Sequence, residues 1–231
     1  SLSQRFHAVI RAAKQKTGRN VVVLVDEYDK PMLQAIGKDE LQDEFRATLK
    51  SFYGVMKSAD ADIRFVMLTG VSKFSKVSVF SDLNNLRDLS MLEQYTEICG
   101  ISEKELHQYF KDDIQKMADM NGTNYEEVSE RLRENYDGYH FAPNTEGMYN
   151  PFSLLNVFAN RKFDNYWFET GTPTYLVELL KKNDYALEEI DNTIVGMETL
   201  SGIDAADTDP IPVIYQGGYL TIKDFNPRFQ S

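Results

Sequence analysis

The feature that most constrains the fold is an uninterrupted apolar run at residues 21–25, Val-Val-Val-Leu-Val. The run is mostly β-branched and lacks the alternation of a half-exposed strand. It therefore predicts a strand that is buried on both faces of a parallel sheet. It is preceded by apolar residues at helical spacing over 3–16. It is followed by a helical pattern at about 40–58 and then by a second apolar run at 63–69. The order strand, helix, strand indicates a βαβ unit and an α/β fold.

Two acids, Asp26 and Glu27, follow this strand at its carboxyl end. Open α/β sheets bind ligands outside the carboxyl ends of their strands, so these carboxylates lie where a site is expected. The pattern is typical of a Walker B element, in which the first acid helps to hold Mg²⁺ and the second polarises the attacking water. The alternative is a buried strand that ends in a solvated acidic turn.

The second apolar run ends at Thr69, and Gly70 begins a loop that is rich in hydroxyl groups. Lys73 and Lys76 lie in this loop, just beyond the end of the predicted strand. Hydroxyl and ammonium groups at that position are suited to contact a phosphate. An ordinary surface loop is an equal alternative.

The second half of the sequence predicts a helical module. Two segments, Ser102–Glu105 and Thr123–Glu126, have the form of capping boxes, in which the first side chain and the fourth satisfy backbone amides at a helix start. Proline after a polar residue begins two further helices, at Asn150–Pro151 and at Thr172–Pro173.

The last part of the sequence predicts a β-hairpin. Two runs rich in strand-forming residues, 212–216 and 219–223, flank Gly217–Gly218. Two glycines between such runs predict a hairpin with a two-residue turn. A hairpin after a helical module suits the edge of a winged-helix-like unit, and it suits any small α+β cap equally well.

Composition and charge limit the class of protein. The 231 residues are 42% hydrophobic, which is enough for a buried core, and they carry a net charge of −11. General electrostatic attraction to nucleic acid or anionic lipid is not expected at this charge, although a local basic patch stays open. No run approaches the roughly 20 apolar residues that cross a bilayer. With a single cysteine, Cys99, and no signal-peptide core, we expect a cytoplasmic protein without internal disulfides.

The usual partner of a Walker B strand is missing from the sequence. No segment has the form G-x-x-x-x-G-K-[ST] of a phosphate-binding loop, and the single Gly-Lys pair, Gly37–Lys38, lacks the upstream glycine. Without the backbone amides and lysine of such a loop, phosphate affinity is expected to be low. The sequence also contains no G-x-S-x-G elbow, and its three histidines are too scattered to predict a zinc site.

Six blocks of sequence, spread over nearly the whole chain, carry a family resemblance: VVVLVDEYDKP, RFVMLTGVSKFSKVSVFSDLNNLRDLS, ICGISEKEL, NYDGYHF, YNPFSLL and YQGGYLTI. In this order they resemble the bacterial family of predicted AAA-ATPase-like proteins, relatives of the archaeal ATPase group of P-loop NTPases. The resemblance implies a P-loop NTPase core with an upstream phosphate-binding loop, a helical lid and a winged-helix-like segment. It also implies that a C-terminal PD-(D/E)XK nuclease-like domain often follows, although no nuclease core is encoded in these 231 residues.

The resemblance assigns roles to three residues at the predicted sheet edge. Asp26 would be the acid associated with Mg²⁺, and Glu27 would be the acid that activates water. Thr69, at the end of the second strand, would be the sensor-like residue that reads the γ-phosphate of ATP.

The resemblance also implies that three further residues lie near the bound nucleotide. Ser72 and Lys73 lie in the family's fixed loop and would be close to phosphate. Gly138 would belong to a lid turn near the nucleotide, with aromatic core packing as the alternative at that block.

The resemblance also divides the chain into three segments. Residues 1–99 would form a partial P-loop NTPase-like α/β core that lacks the phosphate-binding loop. Residues 100–205 would form the helical lid, and residues 206–231 an incomplete winged-helix-like hairpin segment.

Two functions are therefore predicted. The first is an ATP-binding and ATP-hydrolysing region with ATP and Mg²⁺ as ligands, which is inactive as these residues alone and acts on a protein partner or an attached nuclease-like domain. The second is a non-catalytic protein- or nucleic-acid-interaction module on a degenerate NTPase scaffold. A plain α/β domain with acids on a turn is a third alternative.

Overall fold

The structure is a computed structural model of the chain, and it forms two compact units. The residues that it describes are 1–35, 38–73, 79–80, 83, 85–166, 177, 180–181, 193–202 and 209–226. The first unit comprises residues 1–87, 175–193 and 198–217. The second unit comprises residues 88–174, 194–197 and 218–231. The division into three segments that the family resemblance implies stays a prediction.

The described residues form two strands, ten α-helices and two short 3₁₀ turns. In chain order they are α1 (Leu2–Thr17), β1 (Val21–Val25), α2 (Lys30–Gln34), α3 (Asp39–Tyr53), α4 (Val55–Ser58), a 3₁₀ turn (Asp60–Asp62), β2 (Ile63–Leu68), a 3₁₀ turn (Glu93–Ile98), α5 (Glu103–Tyr109), α6 (Lys111–Asn121), α7 (Tyr125–Tyr136), α8 (Pro151–Asn160), α9 (Met197–Leu200) and α10 (Ile211–Gln216).

The two strands confirm the predicted parallel pairing. β1 lies beside β2 in a two-stranded parallel sheet, and Val25 at the end of β1 is in register with Leu68 at the end of β2. Because parallel strands run in the same direction, their carboxyl ends meet at one edge of the sheet. This register places the residues after Val25 next to the residues after Leu68.

Helices cover one face of this sheet, and the other face is largely exposed. Val23 is buried in a core with Tyr53 of α3 and Met56 of α4. On the opposite face, Val22 is 51% exposed and Leu24 is 71% exposed. The prediction of a strand buried on both faces is therefore wrong for the described residues, since the helices of the first unit pack on one side of the sheet.

The helical segments of the chain are interrupted in two places. The pattern at about 40–58 becomes α3 and α4, which meet at Gly54. The helix that begins at Ser102 ends at Tyr109, and α6 begins after Phe110. Phe110 has φ −114° and ψ 12°, outside the helical range, so the backbone turns there although both segments are helical.

The second unit is built around the packing of α5, α6, α7 and α8. Its core is apolar, with few polar atoms, and consists mainly of Leu106, Ile114, Met117, Ala118, Val128, Leu132, Leu154, Val157 and Phe158, together with three tyrosines. Short antiparallel bridges, Ile101 with Tyr149 and Tyr139 with Met148, connect the segments between the helices. This packing confirms the predicted helical module.

One acid, Glu103 at the start of α5, connects three parts of this unit. Its Oε2 accepts a hydrogen bond from the hydroxyl of Tyr149 at 2.5 Å. Its Oε1 accepts from Arg133 of α7 at 3.1 Å and lies 3.0 Å from Nε2 of His107. The other ring nitrogen of His107 is 2.7 Å from the hydroxyl of Tyr125. We call these five residues the Glu103 network.

The predicted helix starts are confirmed at two positions and shifted at one. Ser102 forms the complete capping box with Glu105, and the side chain of Asn150 caps α8. The second capping box is wrong, because Asn124 and not Thr123 is the N-cap of α7. The Asn124 side chain accepts from the backbone N–H of Glu127 at 2.9 Å, and Asn is among the best N-cap residues.

The hairpin predicted at the end of the chain is not formed. Residues 211–216 form the helix α10, in which Ile211 to Tyr215 are all buried. Pro212 lies in the first turn of this helix, where its missing N–H has no cost. A short buried apolar run fits a strand or a helix equally well by its pattern, and here the proline decides for a helix.

The helix predicted to begin at Thr172–Pro173 lies mainly outside the described residues. Among the helices that the structure describes, none is both long enough and apolar enough to span a membrane.

Candidate functional site

The carboxyl ends of the two strands bring Asp26 and Thr69 into contact. The hydroxyl of Thr69 donates a hydrogen bond to Oδ1 of Asp26 at 2.5 Å. Backbone hydrogen bonds continue the pairing beyond the strands, from Thr69 N–H to the carbonyl of Val25 at 2.8 Å and from Tyr28 N–H to the carbonyl of Thr69 at 3.0 Å. Two residues that are 43 positions apart in sequence thus form one site at the sheet edge.

The carboxylate of Asp26 is exposed and is held through one of its oxygens. Oδ1 also accepts the backbone N–H of Glu27 at 3.0 Å. Within the described part of the chain, no hydrogen bond ends on Oδ2. An oriented carboxylate with one oxygen available is a suitable ligand for a hard divalent cation.

Glu27 follows in an unusual backbone conformation. Its φ is +53°, in the left-handed region that residues other than glycine seldom adopt. The side chain is exposed, and its Oε2 accepts a hydrogen bond from Nζ of Lys30 at 2.6 Å. Hydrogen bonding to Glu27 and the charge of that carboxylate raise the pKa of Lys30. Strained backbone of this kind is often found at functional positions.

Asp29 is a residue of the site that the sequence patterns did not single out. Its side chain is buried, with 1% of the residue exposed, and its Oδ2 accepts the backbone N–H of Ser72 at 2.5 Å. Oδ1 has no hydrogen bond of ordinary geometry among the described residues, although the backbone amides of Val71 and of Asp29 itself lie near the carboxylate. Burial raises the pKa of Asp29, and backbone hydrogen bonds such as that from Ser72 offset only part of this effect.

The loop after β2 is held from both sides. The hydroxyl of Tyr28 donates to the carbonyl of Ser72 at 3.0 Å. The backbone N–H of Lys73 donates to Oε1 of Gln216 at 2.7 Å, and Nε2 of Gln216 donates to the carbonyl of Leu200 at 2.8 Å. Ser72 is buried, so its hydroxyl does not face solvent in this conformation. Residues 74–78 of this loop, which include Lys76, lie outside the described residues.

Gly138 belongs to the second unit, where its φ is +112°. It follows α7 and lies next to the bridge between Tyr139 and Met148. A Cβ on Gly147 would come within 3.0 Å of the Cα of Gly138, so the two segments pass very close to each other. The observed role of Gly138 is to permit this turn, and its nucleotide role stays a prediction.

The described residues contain no cluster of three or more His, Cys, Asp or Glu side chains that would hold a metal ion by themselves. A cation at this edge would therefore depend mainly on Asp26 and on ligands from outside the protein side chains. Magnesium commonly binds in this way, through one or two carboxylates together with water and phosphate oxygens.

Comparison with known proteins shows similarity to a family and to a bacterial relative. Residues 1–80 match the family model described as "Predicted AAA-ATPase". A protein of Azotobacter chroococcum mcd 1, named only as an uncharacterized protein in the vnfD 5′ region, is 42% identical over 218 residues. The alignment covers 94% of this chain and 40% of the relative, so the chain spans about two fifths of that protein's length.

No solved structure matches this chain. The family match covers every residue of the sheet-edge site described above, from Asp26 to Lys73. The resemblance to the predicted AAA-ATPase family that the sequence blocks indicate is thus confirmed, with residues 1–80 matching the model of that family.

Proposed function

We propose that Asp26, Glu27 and Thr69 form the Walker B and sensor part of an ATPase site. The observation that carries this proposal is the hydrogen bond from the Thr69 hydroxyl to Asp26, at the carboxyl ends of two adjacent parallel strands. This is the edge at which open α/β sheets bind their ligands. It lies within the residues that match the predicted AAA-ATPase family.

In this proposal Asp26 holds Mg²⁺. The arrangement fits such an ion, because Thr69 and the Glu27 amide both bind Oδ1 and orient the carboxylate. Bound together with ATP, Mg²⁺ would supply neutralisation of phosphate charge. Thr69 keeps the carboxylate in one orientation, so that no reorganisation is needed when nucleotide binds.

Glu27 is the residue that orients and deprotonates the attacking water in this proposal. Its carboxylate is exposed next to Asp26, as a group that contacts a substrate water must be. Lys30 binds only Oε2, and within the described residues no hydrogen bond ends on Oε1. One carboxylate oxygen is therefore available to accept a proton from water.

The remaining parts of an ATPase site are proposals for the whole natural protein. These 231 residues contain no phosphate-binding loop motif, and the chain spans about two fifths of its relative's length. We place Lys73 and Ser72 near the phosphates through their loop, and Gly138 in a lid turn. Transfer of the conformational change to a protein partner or to an attached nuclease-like domain also belongs to this proposal.

The test is Glu27→Gln in the full natural protein. Glutamine keeps the size of the side chain and loses the ability to accept a proton, so ATP turnover should fall by a factor of about 10² to 10⁴. Binding of Mg-ATP, measured by titration calorimetry or with a fluorescent analogue, should be retained, since Asp26 is unchanged.

Glu44→Gln is the matched control, because Glu44 is an exposed acid of α3 in the same unit. Its turnover should equal that of the wild type. Unchanged turnover in Glu27→Gln, or an equal loss in both variants, would contradict the assignment. If the wild-type natural protein neither binds nor hydrolyses ATP, the non-catalytic interaction module becomes the better description.

A further inference from the structure

We propose that Asp29 is a positioning residue of this site: together with Tyr28 it holds the backbone of Ser72 and so fixes the hydroxyl of Thr69 against Asp26. The inference rests on the proposed function for its catalytic consequence. Its structural part, the fixed rotamer of Thr69, can be tested without any nucleotide.

The latch, by which we mean Tyr28, Asp29 and the backbone of Ser72, uses both polar groups of one residue's backbone. The N–H of Ser72 donates to the carboxylate of Asp29 at 2.5 Å, and its carbonyl accepts from the hydroxyl of Tyr28 at 3.0 Å. The backbone N–H of Tyr28 donates to the carbonyl of Thr69. Two adjacent residues after β1 thus bind both ends of the segment from Thr69 to Ser72.

The hydrogen bond between Asp29 and Ser72 is buried, which makes it strong, whereas Tyr28 is half-buried. Asp29 and Ser72 are each only 1% exposed. A hydrogen bond to a carboxylate is stronger than one between neutral groups, and exclusion of water strengthens it further. The backbone from Thr69 to Ser72 is therefore held in one position, and this position keeps the Thr69 hydroxyl within hydrogen-bond reach of Asp26.

The burial of Asp29 destabilises the fold, because one of its carboxylate oxygens is left unpaired. Its Oδ1 is buried without a partner among the described residues, and burial raises the pKa of the group. Buried polar atoms are nearly always paired, and an exception in a native structure calls for an explanation. The exposed acids Asp26 and Glu27 lie close to Asp29 in sequence. We explain the unpaired oxygen of Asp29 by a functional role: the carboxylate is retained because it positions the segment from Thr69 to Ser72.

Gly70 has the position that the latch requires. A Cβ built on this residue would lie 2.5 Å from Oδ1 and 2.8 Å from Cγ of Asp29, and 2.9 Å from Cδ1 of Tyr28. Any side chain would therefore push Asp29 away from Ser72. Since the φ of Gly70 is not in the left-handed range, space and not backbone conformation makes glycine necessary here.

The experiment compares Asp29→Ala, Asp29→Asn and Tyr28→Phe with the wild type. Alanine removes the acceptor for Ser72, whereas asparagine keeps a carbonyl oxygen that can accept the same N–H. Phenylalanine removes only the hydroxyl of Tyr28 and keeps its ring next to Phe80. Asp60→Ala is the matched control, because Asp60 is an exposed acid of the same unit.

Two nucleotide-free readouts test the latch by NMR. In Asp29→Ala, amide hydrogen exchange of Ser72 should accelerate roughly 10- to 100-fold, as expected for the loss of a hydrogen bond to a charged group. The NMR signal of the Thr69 methyl group should change from that of a single side-chain rotamer to an average over several rotamers. Tyr28→Phe should produce the same changes to a smaller extent, and it provides the test if Asp29→Ala does not fold. Asp29→Asn should restore most of the wild-type behaviour.

The kinetic readout uses the same variants in the full natural protein. Asp29→Ala should lower kcat for Mg-ATP roughly 10- to 100-fold, the effect of a misplaced catalytic group, with KM nearly unchanged. Asp29→Asn should recover much of this loss. A Ser72 exchange rate or a Thr69 signal equal to that of the wild type in both Asp29→Ala and Tyr28→Phe would overturn the latch.

The failures of the two proposals are distinguishable. Loss of the Thr69 rotamer with unchanged kcat would overturn the positioning role and leave the ATPase assignment intact. Absence of turnover in the wild-type natural protein would remove the proposed function, while the NMR readouts would still decide whether Asp29 fixes Thr69.

Discussion

Two acids, one in each unit, show opposite ways of keeping a carboxylate in a folded protein. Asp29, in the first unit, is fully buried and uses one oxygen, so burial raises its pKa. Glu103, in the second unit, is about one third exposed as a side chain, and both of its oxygens accept hydrogen bonds. Its partial burial would raise its pKa, but Tyr149, His107 and Arg133 outweigh burial and lower it.

The difference teaches that pairing, and not burial alone, decides which protonation state the fold favours. A fully paired acid stabilises the packing of the elements that supply its partners. An acid with an unpaired oxygen has a free-energy cost that the rest of the fold must offset. Such a cost is expected near a functional site more often than in a purely structural core.

The largest effect is expected from removing the buried partner of Glu103. Tyr149→Phe removes one hydroxyl that donates to a carboxylate and changes nothing else in the core. It should lower the free energy of unfolding of the second unit by about 1.5–3 kcal/mol. Native-state hydrogen exchange of amides in α5 and α7 measures this change region by region.

Tyr109→Phe is the control for this prediction, because Tyr109 is 66% exposed on the same helix as Glu103. It should change the stability of the second unit very little. An equal loss in the two variants would show that the Glu103 network contributes no more than a surface hydroxyl does.

An intermediate effect is expected from pH, with opposite signs for the two acids. Because the folded pKa of Glu103 is lowered, its contribution to stability is present above the ordinary carboxyl pKa and is lost as the pH falls through the folded pKa. Because the folded pKa of Asp29 is raised, its contribution is complete below the unfolded pKa and is lost as the pH rises through the folded pKa.

Glu103→Gln and Asp29→Asn convert this comparison into a measurement. The stability lost in Glu103→Gln, relative to wild type, should shrink as the pH falls from about 7 to about 3. The stability of Asp29→Asn relative to wild type should instead improve as the pH rises. A single group changes the free energy of unfolding by at most about 1.4 kcal/mol per pH unit. Parallel pH profiles for the two variants would refute the contrast.

The smallest effect is expected at the exposed end of the Glu103 network. Arg133 is 52% exposed as a side chain and forms an ion pair with Glu103 that water and salt can screen. Arg133→Gln should lower the stability of the second unit only slightly at low salt, and by less than Tyr149→Phe does. The loss of stability caused by Arg133→Gln should diminish in high salt, whereas the loss caused by Tyr149→Phe should persist.

Lys104→Gln serves as the control for Arg133→Gln, since Lys104 is an exposed cation next to Glu103 in sequence. Each variant removes one positive charge, so the two variants have the same net charge. A larger loss in Lys104→Gln would show that general charge, and not the pair with Glu103, determines the effect.

The features that were predicted correctly depend on local signals. The capping residue Ser102 and the apolar run of β1 each specify their element within a few residues. The meeting of Asp26 and Thr69 could be expected, because parallel strands present their carboxyl ends at one edge. Residues 212–216 are predicted as a strand but belong to the helix at 211–216, since a short buried apolar run has no decisive period.

The features that were missed depend on distant partners. Asp29 has the sequence context of an ordinary residue before a helix, and only its contact with Ser72, 43 positions away, makes it a buried acceptor. Glu103 gains its partners Arg133 and Tyr149 from 30 and 46 positions away. No pattern within a helix or a strand records such contacts, so a single sequence shows the acids without showing which of them is paired.

The left-handed backbone of Glu27 has a consequence for attempts to improve this protein. A residue with a side chain costs roughly 1–2 kcal/mol in that conformation, and glycine would relieve this strain. Glycine would also remove the carboxylate that the proposed chemistry needs. Laboratory evolution under heat alone should therefore enrich glycine at position 27, and evolution under demand for ATP turnover should retain glutamate at the expense of thermal tolerance.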